Sequence, residues 1–312
     1  MRFFRHLLVA VFVAVGLAVT STRGAEAKKI RVLIVDGQNN HDWLPTTAWL
    51  RDFLTSSGRC LVAVTTTPSK ETPSTDATWS AWRPRFTDFD VVLSNFNGGH
   101  QPNATRWPAE VERSFEDYVR SGGGFVSFHA ANNAFLGWPA YNEMIGLLWR
   151  DPAFGPSVIL DEQDRPVIIP TGEGRKPGHG PRHDFQMTTL AGDHPITRGL
   201  PRHWMHPSEQ LTHGQHGPDA AVRSGAITFL TCAWSKDTNE REPMDWVRNY
   251  GKGRVYVTML GHTWKNEPSP NLHCAGFQTL LLRGVEWAAT GTVTIPTPPD
   301  LPTADKISLR ER

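Results

Sequence analysis

Cysteine is scarce: Cys60, Cys232 and Cys274 are the only three in 312 residues. Three thiols make no disulfide scaffold, and whether any two of them pair stays open. Net charge is nearly absent as well. The chain has 32 Lys and Arg against 31 Asp and Glu, a formal balance of +1. That excludes the basic footprint of a nucleic-acid binder. Beyond the first 20 residues or so no long apolar run occurs, so no membrane span is expected in a mature chain. Internal repeats and low-complexity tracts are missing too. So are a Walker A loop, a G-x-S-x-G elbow and an H-E-x-x-H helix. Gly122-Gly123-Gly124 is not a G-x-G-x-x-G fingerprint, because no helix begins there, and no nucleotide cofactor is expected.

What remains is a particular kind of chain. It opens with Arg2 and Arg5, an apolar run from Leu7 to Val19, and Ala25-Glu26-Ala27. This order of basic, apolar and small residues predicts a signal peptide over 1–27, hence a periplasmic or secreted protein. Residues 28–291 are long enough for one large domain, with an insertion at about 150–225, and 292–312 form a proline-rich tail. Twelve Trp and thirteen His stand out. Aromatic rings beside polar groups suit sugar faces, although Trp is also a core residue.

Short apolar runs alternate with helical spacing. Strands are predicted at Ile30–Val35, Leu61–Thr65, Phe89–Ser94 and Phe125–Phe128. With them, residues 45–54, 108–120 and about 138–149 read as helices, and residues 66–86 as a surface connection with one turn of helix; the stretch 108–120 is amphipathic through Val111, Phe115 and Val119. Four such alternations argue for an α/β, doubly wound, mostly parallel sheet. Val158–Leu160 and Val167–Ile169 read as short strands in a loop-rich insertion that caps the strand ends. Strands follow at Ile227–Ala233 and Arg254–Leu260, with Met244–Asn249 irregular between them. A closing helix over 274–289 stops at Gly291. The tail drapes over the surface or is disordered.

Chemistry gathers where strands stop. His41, His129 and His262 each follow an apolar strand directly or after a short loop. In a parallel sheet all carboxyl ends lie on one edge, where ligands bind, so the three can converge from distant parts of the chain. A single strand-end His could equally cap the sheet through hydrogen bonds. Three together, with Glu209, suit either a zinc-like divalent metal site or acid–base work on a hydroxylated substrate. His203, His206, His213 and His216 have irregular spacing and read as polar surface groups. His179 and His183 lie in a glycine-rich loop and read as lid residues.

The order of motifs resembles the ThuA-like, trehalose-utilisation family. The matching pieces are the loop ending in His41-Asp42, Gly123-Gly124-Phe125-Val126-Ser127-Phe128-His129-Ala130, Trp138-Pro139-Ala140-Tyr141 and His194-Pro195-Ile196-Thr197-Arg198-Gly199-Leu200-Pro201. Glu209 follows at the family's acidic position, then Gly251-Lys252-Gly253-Arg254-Val255, Gly261-His262-Thr263 and Gly284-Val285-Glu286-Trp287-Ala288. The resemblance spans about Ile30 to Gly291. It implies a flavodoxin-like sheet of the class I glutamine amidotransferase type. In those enzymes a catalytic Cys occupies the turn that here carries His129, so glutamine hydrolysis by a thiolate is not expected.

The resemblance also implies carbohydrate catabolism, on a disaccharide or an oxidised 3-keto-glycoside, with a divalent metal in some members. Two functions follow. One is an exported enzyme with His129, His262 and Glu209 as catalytic groups. His41, His129 and His262 are then metal ligands, and His41, Asp42, Trp43, Asn97, Trp138 and Trp264 contact the substrate. The other is a non-catalytic sugar-binding or scaffold domain. Either way the expected partner is a small carbohydrate, without nucleic acid and, once the signal is removed, without a membrane. A homo-oligomer stays open.

Overall fold

The computed structural model of the protein describes residues 28–310, so the predicted signal peptide lies outside the described residues. Strands β1 (Ile30–Asp36), β2 (Cys60–Thr66), β3 (Val91–Ser94) and β4 (Gly124–Phe128) alternate with helices. These are α1 (Trp43–Ser56), the short α2 (Ala77–Ala81) and α3 (Ala109–Arg120). Then come α4 (Pro139–Ile145), β5 (Ser157–Leu160), β6 (Pro166–Ile169), β7 (Gly178–His179), β8 (His183–Thr189), β9 (His203–Glu209) and β10 (Thr212–His213). The chain closes with α5 (Asp219–Arg223), β11 (Thr228–Ser235), β12 (Glu240–Tyr250), β13 (Gly253–Thr258) and α6 (Ala275–Thr290).

The main sheet runs β2-β1-β3-β4-β13-β12-β11-β8-β9, with the β5–β6 hairpin joined to β12. Its first five strands are all parallel. Their order is the 2-1-3-4-5 of a flavodoxin-like, doubly wound sheet. Side chains alternate across it, as the pleat requires. Phe125 packs on Phe115 of α3 and Tyr141 of α4, whereas Phe128 faces Phe277 of α6. The Trp49 and Phe277 rings lie 6.2 Å apart and set α1 beside α6 on that second face. Gly124 lets α6 sit directly on β4: a Cβ there would lie 2.6 Å from the Ala288 carbonyl oxygen.

The second half of the sheet is antiparallel. Here the expected irregular stretch Met244–Asn249 lies inside the eleven-residue β12. Its acidic residues obscure the strand in the sequence, yet each has a partner: Glu240 pairs with Arg175, and Glu242 accepts the Gly214 amide and the Thr238 hydroxyl. Asp245 accepts the Thr231 hydroxyl at 2.5 Å and the Tyr256 hydroxyl at 2.7 Å. Segment 150–225 does more than cover the strand ends, since it supplies β8 and β9 to the sheet itself. His206 and His216, expected at the surface, are fully buried. His216 is held by the carbonyls of Gly155 and Arg175, each at 2.8 Å.

The tail is ordered and strapped down. The Met205 amide on β9 donates to the Thr303 carbonyl at 2.9 Å. Leu309 bridges to Cys274 at the start of α6, and Arg310 pairs with Asp300. All three cysteines are buried and unpaired.

Candidate metal centre

Three strand ends build the site. His41 lies in the loop after β1, His129 begins a 3-10 turn (His129–Asn133) after β4, and His262 sits in the turn after β13. Because β1, β4 and β13 are parallel, these turns share one edge. The ring centroids are 4.1 Å apart for His41 and His262, 4.7 Å for His41 and His129, and 4.9 Å for His129 and His262. One ligand nitrogen from each lies within 4.8 Å of the others.

The backbone forces this geometry. His129 has φ +45°, a left-handed conformation that a non-glycine residue adopts at a cost of about 1–2 kcal/mol. The Nδ1 of His129 donates to the Met259 carbonyl at 2.7 Å, which leaves Nε2 free as an acceptor. His262 Nδ1 is buried and has no hydrogen-bond partner among the described residues. The Asn40 amide approaches His41 Nε2 at 3.2 Å, and Asn97 in turn donates to Asn40 Oδ1 at 2.6 Å.

Electrostatics keeps the cluster neutral. Burial, then the neighbouring His129 and His179, push His41 down to about 2. Burial lowers His129, against the opposing pull of the Glu209 charge. Burial and the other two imidazoles likewise lower His262. Neutral imidazole is the form that binds metal. Nitrogen ligands stand about 2 Å from a zinc ion, and three of them leave its fourth position open. Three clustered neutral imidazoles, one with a buried nitrogen lacking any partner, fit such an ion.

Glu209, at the end of β9, is fully buried behind the cluster. Its carboxylate accepts the Gly261 amide at 2.8 Å, the His262 amide at 3.2 Å and the Asn271 side chain at 2.8 Å. His206 Nε2 lies 3.5 Å away. Glu209 thus fixes the backbone that carries His262.

The ThuA family model, described as trehalose utilisation, matches residues 31–288. The chain belongs to the ThuA family. Among solved structures, a ThuA-like protein from Parabacteroides merdae is 34% identical, with a TM-score of 0.81 over 91% of this chain and 98% of that one. A ThuA-like protein from Bacteroides uniformis shares the fold at 15% identity and a TM-score of 0.54, over 85% and 94% of the two chains. No curated protein matches. Membership in ThuA ties the chain to carbohydrate use.

Within this ThuA domain the other predicted site residues scatter. Asn97, 4% exposed, and the half-buried Trp43 line a cleft beside the histidines. Asp42 faces a different cavity, between α1 and the tail, with Trp49 and Arg310. Trp138 does not reach the site. It is buried among Trp107, Phe115 and Phe135, because its apolar bulk fills the space between α3 and α4. Trp264, half-buried, stacks on His262 at 4.4 Å and carries the Arg182 guanidinium at 4.1 Å, so its ring faces are taken up by neighbours within the protein.

Two residues from the insertion join the cavity above the histidines, alongside His100 and Trp149. His179, on β7, lies edge-on to His262 at 5.9 Å. Thr212, on β10, is buried there, and its hydroxyl has no partner among the described residues. The β7–β10 pairing brings them together. No sequence spacing announces a contact between residues so far apart, and only the glycine-rich lid around His179 hinted at it.

Proposed function

We propose that this is an exported ThuA-like enzyme of carbohydrate catabolism, acting on a disaccharide or 3-keto-glycoside at the strand-end histidines. The observation that supports it is the convergence of the half-buried His41 with the buried His129 and His262 as neutral imidazoles. These three residues would hold a divalent, zinc-like ion. When bound, the ion would act as a Lewis acid on a carbonyl or hydroxyl oxygen. The protein supplies the rest. His129 is oriented by the Met259 carbonyl, and His262 by Glu209 through the backbone. His179, exposed at the mouth of the cavity, and the buried Thr212 line it and offer polar atoms to a substrate oxygen.

The test is metal analysis of the purified protein and of His129→Ala and His262→Ala. It is paired with turnover of a panel of disaccharides and their 3-keto derivatives, with and without added metal. About one ion per chain, lost in both variants together with turnover, is the expected result. A metal-free wild type that turns over none of the panel would leave a sugar-binding domain instead.

A further inference from the structure

The histidine cavity encloses only about 90 Å³. At roughly 30 Å³ per water molecule it has room for about three waters. Ligand pockets begin near 300 Å³. The cavity therefore takes an ion and one oxygen function of a substrate, but no sugar ring. A second cleft of about 420 Å³ opens beside it and shares two wall residues with it, Asn40 and His100. The size of this cleft suits a ring.

The lining of the cleft suits one too. Trp43, at the start of α1, contributes a half-buried indole. Asn97 and Asn40 form its inner wall, locked by their mutual hydrogen bond at 2.6 Å. Gln38 is 4% exposed and donates Nε2 to the Pro68 carbonyl at 2.8 Å, while its Oε1 has no partner among the described residues. A buried amide oxygen without a donor calls for an explanation. Lys70 and Gln101 are exposed at the rim. An aromatic face, fixed amides and a rim cation are the groups that recognise a polyhydroxylated ring. The CH-bearing face stacks on indole, and vicinal hydroxyls pair with amides.

We propose that this cleft is the sugar-ring subsite, with the bound ring directing one oxygen past Asn40 into the histidine cavity. The inference rests on the functional reading above and deepens it. It assigns recognition of the ring to the loops after β1 and β3 and to the start of α1, and the reaction to the histidines. It also explains why Trp138 and Trp264 are not needed as sugar platforms.

The experiment is calorimetric titration of the full mature chain with trehalose, comparing wild type with Trp43→Ala, Lys70→Ala and Gln101→Ala. Trp234→Ala serves as the control, since Trp234 is exposed on β11 away from the cleft. Metal content is measured on each protein. Trp43→Ala is expected to weaken trehalose binding about tenfold or more, and the two rim variants about threefold each. Metal content and the Trp234→Ala affinity should stay at wild-type values. The rim variants touch no core, so they keep the test valid should Trp43→Ala fail to fold. Trehalose binding unchanged in all three cleft variants overturns the subsite, as does a wild type that binds no trehalose. The two readings fail separately. Cleft-dependent binding without turnover removes the catalytic reading and keeps the subsite. Turnover with an unaltered KM in the cleft variants does the reverse.

Discussion

Glu209 shows how one buried side chain can set a site without facing it. Removing it strands the amides of Gly261 and His262 and the side chain of Asn271 in a dry interior. Glu209→Ala should cost about 3 kcal/mol or more, read as a lower urea midpoint with an unchanged slope. Glu209→Gln keeps the volume but offers one acceptor oxygen in place of two. It should lose roughly half as much stability and still weaken metal retention, because the His262 turn loosens. An acid–base role at the reacting atoms would instead give normal stability and metal content with turnover abolished. The two outcomes are told apart by measuring all three quantities on one preparation. His41, His129 and His262 could be picked from the sequence because each ends an apolar run. Glu209 could be picked, but not placed, since nothing in the order of residues says which way a strand-end carboxylate points. Trp138 falls outside the expectation because the core uses large aromatic surfaces as readily as a sugar site does.

Among the elements, β12 carries a pH-dependent charge. Burial lifts the Glu242 carboxyl to about 7, against the pull of the Gly214 amide and the Thr238 hydroxyl. An unfolded Glu titrates near 4.3, so the native state binds its proton more tightly. The stability this gives is fully present below about pH 4 and is lost as the pH rises through about 7. Glu242→Gln removes the titration. Its stability relative to wild type should therefore improve steadily between pH 5 and pH 8, as followed by denaturant midpoints across that range. The turn after β13 is equally exacting. Gly261 has φ +107°, and a Cβ there would lie 2.4 Å from the Phe128 ring. Gly261→Ala should destabilise by about 2 kcal/mol or more, measured by thermal unfolding, and displace His262. The inner parallel strands β1, β3, β4 and β13 were legible because strands buried on both faces read as short apolar runs. β12 was not, because its acids are satisfied by partners in other strands and loops, such as Tyr256, Gly214 and Arg175, that the local sequence does not reveal.

At the scale of the whole molecule, the doubly wound order follows from the alternation of strands and helices, and the convergence of the histidines follows from that order. The cap over them does not, because β7 and β10 meet through a two-residue pairing between distant segments. If the cluster holds an ion, folding and binding are linked. Zinc at one hundred times its dissociation constant should add about 2.7 kcal/mol. For a domain of this size that raises the unfolding temperature by roughly 4–5 °C. A chelator should reverse the shift, and His129→Ala should show neither effect.

The spacing of the three histidines along the chain has a consequence for when the site comes into being. A ribosome adds about 5–20 residues each second and delivers the amino-terminal part first. His41 and His129 emerge early, with β1 and β4. His262, the Asn271 that steadies Glu209, and the strap that ties Thr303 to β9 all lie more than 130 residues further along the chain than His129. A half-made chain has two imidazoles and no third. Any ion that needs all three is captured only after the segment carrying His262 has been made and folded onto the first two.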